Sequence, residues 1–267
     1  MAGLGSRFSN EGYQLPKPLI PVSGDPMIIK VIRDLPVANK WVFIVRQEHI
    51  DDFAIDRLIE DEIPNAVVIP VEKTTEGQAC TCLLAEPYLD RDQPLLISAC
   101  DNGFTFDSNK FESLSADSSI DSIVWTFTGD PLLAKKPTDF GWCRLEEDGR
   151  TIADMSVKKP ISDDPINDHA VIATFYFKTA ELFSEAANNM IEANHRINNE
   201  FYVDAVPVFM KKMGKRSVIF DVDELLSWGT PAALYSYQLK EYYHRNAALN
   251  DKNSAVINTY FDLKAME

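Results

Sequence analysis

A glycine pair near the amino end, Gly3 and Gly5, stands two residues ahead of Arg7, and Lys17 follows between Pro16 and Pro18. This stretch constrains the chain more than any other. Glycines let backbone N–H groups close around an anion with no Cβ in the way. The two prolines fix the backbone on both sides of one lysine, a restraint that an ordinary solvated lysine does not need. Ala2, Gly3, Leu4, Gly5 and Ser6 therefore read as a cradle for a triphosphate, with Arg7 and Lys17 supplying fixed positive charge. The pair lacks the third glycine of a dinucleotide fingerprint. It also lacks the Gly-Lys-Ser/Thr ending of a Walker loop, so the usual ATPase reading fits poorly.

Behind this segment, apolar runs alternate with amphipathic ones. The spacing predicts helices over 27–35, 48–60 and 77–86, and strands over 41–46, 66–71 and 94–100. That alternation implies βαβ units and a parallel sheet. The middle changes character. Runs at 122–128, 141–146, 151–158 and 169–177 all read as strands, and Asp148-Gly149 is a hairpin signal, so an antiparallel section is inserted. Helices are expected over 180–193 and 200–213, and a strand over 217–221. No repeat or linker interrupts the chain. The economical organisation is one domain over 1–267 that closes on a helical segment, 231–267.

The pattern Gly-x-Gly-x-Arg-Phe followed by Pro-Lys-Pro-Leu-Ile-Pro-Val resembles the sugar-phosphate nucleotidylyltransferases, also called sugar-nucleotide pyrophosphorylases. The resemblance implies an α/β, Rossmann-like fold, with a mixed, mostly parallel sheet flanked by helices. It implies that an NTP and a sugar 1-phosphate give an NDP-sugar and pyrophosphate, with Mg²⁺ as cofactor. In that family a strand feeds the glycine loop, whereas this sequence begins at the loop. Loss of a central strand would leave unpaired ladder groups, so a truncated or renumbered start is expected.

Further candidate residues lie along the chain. The apolar run 95–100 delivers Asp101 at a strand's carboxyl end, where open α/β sheets present ligands. A carboxylate there suits Mg²⁺, a hard cation that takes oxygen ligands; a turn-forming aspartate is the plainer reading. Asp101-Asn102-Gly103-Phe104 resembles the family's Gly-Asp-x-x-Phe/Tyr element, and Asn102 is assigned to the acceptor. Thr75, Glu76, Gly77 and Gln78 open a helix and suit a nucleobase edge, or cap the helix and nothing more. Lys158-Lys159-Pro160 resembles Glu-Lys-Pro, which gives Lys159 the acceptor phosphate and leaves Lys158 where glutamate is usual. Gly141 matches a Tyr-Gly element at the sugar. Glu200 matches an acidic residue that holds sugar hydroxyls, and Asp204 reads as an exposed helical face. Before Gly229-Thr230-Pro231 the family's metal aspartate is replaced by Ser227, so either Asp223 or Asp221 joins Asp101 on the metal, or the metal relies on Asp101, phosphates and water.

Composition narrows the partners. The formal net charge of −15 and pI near 4.7 argue against nucleic acid and anionic membrane surfaces. A nucleotide remains compatible, because a few cations in one cleft outvote an acidic exterior locally. Cys80, Cys82, Cys100 and Cys143 lack zinc spacing and read as reduced, mostly buried thiols of a cytoplasmic protein. His49, His169, His195 and His244 read as surface or structural residues. Three functions follow: an NTP–sugar 1-phosphate nucleotidyltransferase, an enzyme of the same chemistry acting on a non-sugar phosphate such as phosphocholine, and a weakly catalytic nucleotide-sugar-binding regulator. The base, the acceptor and the oligomeric state, including a homo-oligomer, stay open.

Overall fold

The computed structural model describes residues 1–247. Its strands are β1 (Pro21–Val22), β2 (Asp25–Pro26), β3 (Val42–Arg46), β4 (Val67–Val71), β5 (Leu95–Ser98), β6 (Asn102–Thr105), β7 (Ser122–Phe127), β8 (Gly141–Leu145), β9 (Ile152–Val157), β10 (His169–Phe177), β11 (Ser217–Asp221) and β12 (Glu224–Ser227). The helices are α1 (Ser6–Ser9), α2 (Met27–Asp34), α3 (Gln47–Phe53), α4 (Ile55–Glu62), α5 (Gln78–Leu83), α6 (Ser108–Ala116), α7 (Pro131–Lys135), α8 (Ala180–Glu192), α9 (Val206–Lys212) and α10 (Pro231–Ala247). Residues 248–267 of the expected carboxyl-terminal helix lie outside the described residues. Among the described residues no helix is long and apolar enough to cross a membrane.

The α/β fold with its mixed sheet and antiparallel section is as expected. Parallel pairing joins β3 to β4 and β7 to β11. Antiparallel pairing joins β10 to β5, β7 and β8, and β8 to β9. The run Ser-Ile-Val-Trp-Thr-Phe of β7 is buried at every position, as a strand covered on both faces must be. Alternation then sorts the core. Val124, Phe175 and Ile219 pack under α8 and α9, while Ile123, Trp125, Tyr176 and Phe220 pack against Phe104 and Phe111. Helix α8 starts where Thr179 Oγ1 accepts from Leu182 N at 3.2 Å, and Asp107 caps α6 in the same way.

Two features of this sheet position the site. First, β5 and β8 bond to the same edge of β10, end to end. Ala99 N donates to Ala173 O at 2.9 Å, and Ala170 lies opposite Trp142. The gap falls where the β10 register shifts and Ala173 adopts φ 56°. The carboxyl end of β5 and the amino end of β8 therefore face each other there. Second, β12 pairs antiparallel with β6, so Ser227 lies opposite Asn102, next to Asp101. Strands β3 and β5 do not pair with each other.

Several expected bounds shift. The helix over 48–60 is two helices, because Ala54 turns left-handed at φ 49° between them. The helix over 200–213 begins at Val206, since Glu200 and Phe201 pair their backbone elsewhere. Strands β6 and β12 and helices α6 and α7 were not foreseen.

Candidate functional site

Lys17 lies at the centre of the site. Its Nζ donates to Asp101 Oδ2 at 2.5 Å and to the Gly229 carbonyl at 2.9 Å. The stem runs beneath the glycine turn, where a Cβ on Gly5 would stand 3.5 Å from Lys17 Cβ. Nζ also sits 5.5 Å from the centroid of the buried Phe8 ring. Gly5 itself needs its missing side chain, because it caps α1 at φ 63°. Asp101 leaves the carboxyl end of β5, and a Cβ on Gly229 would come within 3.2 Å of its Oδ2. Three segments far apart in sequence are thus drawn to one point. Gly3, Leu4, Ser6 and Arg7 are exposed around it, and Ala2 is buried below. The buried Nδ2 of Asn102, one residue beyond Asp101, finds no hydrogen-bond acceptor among the described residues.

A second group forms where β8 begins. Gly141 is buried, and any side chain there would overlap Asp204 Oδ2. Asp204 is 7% exposed, not the exposed helical residue that the sequence suggested. Burial pushes its carboxyl up to about 6, against the pull of the Lys158 charge and a hydrogen bond from its own backbone. The sequence signal was available, since Asp204 falls within the apolar stretch Phe201–Met210 that packs into the core. Lys158, in a left-handed turn at φ 61°, bonds through Nζ to the Asp139 carbonyl. Of the two neighbouring lysines it is the one directed inward. Lys159 is exposed and makes no ion pair among the described residues.

The loop at Thr75–Gln78 is tied to the segment at Asn194–Phe201. Phe201 N donates to Glu76 O at 2.8 Å, and Ala79 N donates to Phe201 O at 3.0 Å. Glu76 pairs with Arg196, whose guanidinium lies 4.1 Å from the Phe201 ring centroid. Gly77 has φ 131°, and a Cβ would stand 2.5 Å from Phe201 N and O, so backbone contact alone requires glycine there. Thr75 Oγ1 is engaged with Thr81 Oγ1 at 2.6 Å. Glu200 joins Thr75, Glu76, Asn194, Arg196 and Asn199 around an open polar cleft of about 670 Å³. The structure thus groups Glu200 with the 75–78 loop, and Gly141 with Lys158 and Asp204.

Asp223 and Asp221, the candidates to join Asp101, lie apart from it. Asp223 bonds through its backbone N to Thr105 O, at the far end of the β6–β12 ladder. Four residues of strand separate that point from Asp101, roughly 13 Å at the usual rise. Asp221 accepts from Thr126 Oγ1 at 2.7 Å and pairs with His169 Nδ1 at 2.8 Å, away from Lys17. Among the described residues no group of three or more Asp, Glu, His or Cys could hold a metal. All four cysteines are free, with Cys143 buried and the others half-buried.

The family model described as nucleotidyl transferase matches residues 1–241. The chain belongs to the nucleotidyl transferase family. Solved structures share its fold. A nucleoside-diphosphate-sugar pyrophosphorylase from Vibrio cholerae RC9 is 19% identical at a TM-score of 0.71, over 89% of this chain and 97% of that one. An inositol-1-phosphate CTP transferase from T. maritima is 16% identical at a TM-score of 0.66, over 89% and 91%. A UDP-glucose pyrophosphorylase complexed with UDP-glucose is 19% identical at a TM-score of 0.67, over 92% and 96%. No curated protein matches the chain. As a nucleotidyl transferase it is an enzyme that moves a nucleotidyl group.

Proposed function

We propose that this nucleotidyl transferase joins an NTP to a sugar 1-phosphate and releases pyrophosphate. The observation that carries the reading is the Lys17 ammonium held between Asp101 and the Gly229 carbonyl beneath the glycine turn. An acceptor phosphate oxygen attacks the α-phosphorus. The bond from that phosphorus to the bridging oxygen breaks, and pyrophosphate carries the electron pair away. Positioning and charge neutralisation supply most of the acceleration in such a transfer. Lys17 neutralises charge building on the triphosphate, and Arg7, exposed on α1, adds a second cation. The glycine turn offers N–H donors to the phosphates.

Mg²⁺ commonly binds through one or two carboxylates together with substrate phosphates and water. One carboxylate, Asp101, beside a phosphate cradle fits that donor set. Mg²⁺ bound there would offset further charge on the triphosphate. On this reading Lys159 takes the acceptor phosphate and Glu200 contacts acceptor hydroxyls. The nucleobase meets residues Thr75–Gln78. A non-sugar acceptor such as phosphocholine is favoured by one feature: Lys158, bound to the Asp139 carbonyl, stands where the resembled family has glutamate.

The test is pyrophosphate release from a panel of NTPs with Mg²⁺, each offered sugar 1-phosphates and small alcohol phosphates. Release with a sugar 1-phosphate is expected. Release only with an alcohol phosphate would replace the acceptor, and no release with any pair would leave a binding protein.

A further inference from the structure

One nitrogen holds two oxygens from distant segments. Lys17 Nζ donates to Asp101 Oδ2 at 2.5 Å and to the Gly229 carbonyl at 2.9 Å. Among the described residues no other acid pairs with Lys17. Asp34 pairs with Lys30, Asp221 pairs with His169, and Asp223 lies at the far end of the β6–β12 ladder. Ser227, opposite Asn102, brings no charge. Glycine at 229 lets carbonyl and carboxylate converge, since a Cβ there would press on Asp101 Oδ2 at 3.2 Å.

A carboxylate oxygen and a backbone carbonyl oxygen are the donors that a hard divalent cation takes. The ammonium therefore stands where such a cation would bind. The two do not share the place well. Lys17 and Asp101 are both half-buried, so an ammonium and a dication on this one carboxylate leave unbalanced positive charge where water screens it only in part. Lys17 has another place for its charge. Its backbone is fixed between Pro16 and Pro18, and its Cβ lies against Gly5, so the outer side-chain torsions alone can turn. Nζ stays within reach of the glycine turn, where a triphosphate supplies the negative charge given up at Asp101.

We infer that the Lys17 ammonium is a placeholder for a divalent cation between Asp101 Oδ2 and the Gly229 carbonyl, and that the two exclude each other until a triphosphate draws Lys17 away. The part given to the triphosphate rests on the reaction proposed above; the exclusion itself is measured without nucleotide. Gly229-Thr230 is the only Gly-Thr pair in the sequence. A chain labelled with ¹³C at glycine carbonyls and ¹⁵N at threonine therefore gives one NMR signal for that peptide bond. Wild type, Lys17→Met, Lys17→Arg and the double variant Lys17→Met/Asp101→Asn are titrated with MgCl₂. In Lys17→Met the Gly229 carbonyl signal should shift at an Mg²⁺ concentration about tenfold or more below that needed by the wild type. Lys17→Arg keeps a cation beside Asp101 and should follow the wild type, while the double variant should show no saturable shift. Lys17→Gln takes the place of Lys17→Met if that variant does not fold. Equal Mg²⁺ dependence in wild type and Lys17→Met overturns the inference. So does a saturable shift in the double variant, which puts the cation elsewhere, or no shift in Lys17→Met at all. A protein that releases no pyrophosphate yet passes this titration loses the proposed reaction and keeps the placeholder.

Discussion

Asp204 is buried against Gly141, where water cannot stabilise its charge. An unfolded aspartate titrates near 3.9, whereas burial holds this one at about 6 despite Lys158 nearby. Cys143 and Tyr202 also face it, but neither carries compensating positive charge. Between these pH values the folded chain keeps a proton that the unfolded chain has released. The stability contributed by protonated Asp204 is therefore full below about pH 4 and is lost as pH rises through about 6. Asp204→Asn removes this term. From pH 4 to 7 the wild type should lose on the order of 3 kcal/mol relative to that variant. Thermal unfolding of both proteins across that range checks this, and a flat difference profile would count against a buried acid. The acidic partner of Gly141 was readable as an aspartate but not as a buried one, because a helical-face reading of 200–213 puts Asp204 outward. Only the close approach of β8 shows otherwise.

Elements are set by local chemistry where the pattern is long and apolar. Strands β10 and β11 appear at their expected bounds because uninterrupted apolar runs decide them. Strands β6 and β12 are four residues each, and Asn102, Gly103 and Glu224 hide their alternation. They exist because each supplies the other's backbone bonds, which no local window contains. The turn at Gly77 shows how contact between elements can impose a residue that resembles a ligand motif. Gly77 reads as a nucleobase loop, yet Phe201 backbone occupies the space a side chain would need. Gly77→Ala should therefore cost about 1–3 kcal/mol, combining a left-handed backbone with a backbone clash. Gly129→Ala, at φ 77° in open space, carries the strain without the clash and serves as the control. The unfolding midpoint should fall by several degrees more for Gly77→Ala than for Gly129→Ala. Equal shifts would mean that the loop yields and that the contact does not constrain it.

At the scale of the whole molecule, the net charge of −15 and the cationic site are reconciled by topology. Lys17 and Gly229 are 212 positions apart and Lys17 and Asp101 are 84 apart, yet one ammonium touches both partners. The amino-terminal motif was legible because glycines and prolines state backbone requirements locally. The wide spacing of Asp223 and Ser227 was not, because they are near one another in sequence and the run of β12 sets them apart. In the proposed reaction Lys17 neutralises charge on the transferring triphosphate. Pyrophosphate release by Lys17→Ala, compared with wild type at saturating Mg²⁺, tests it most directly. In the variant kcat/KM should fall by about 10²-fold or more while the unfolding transition stays cooperative. Near-native kcat/KM in a folded Lys17→Ala protein would contradict it.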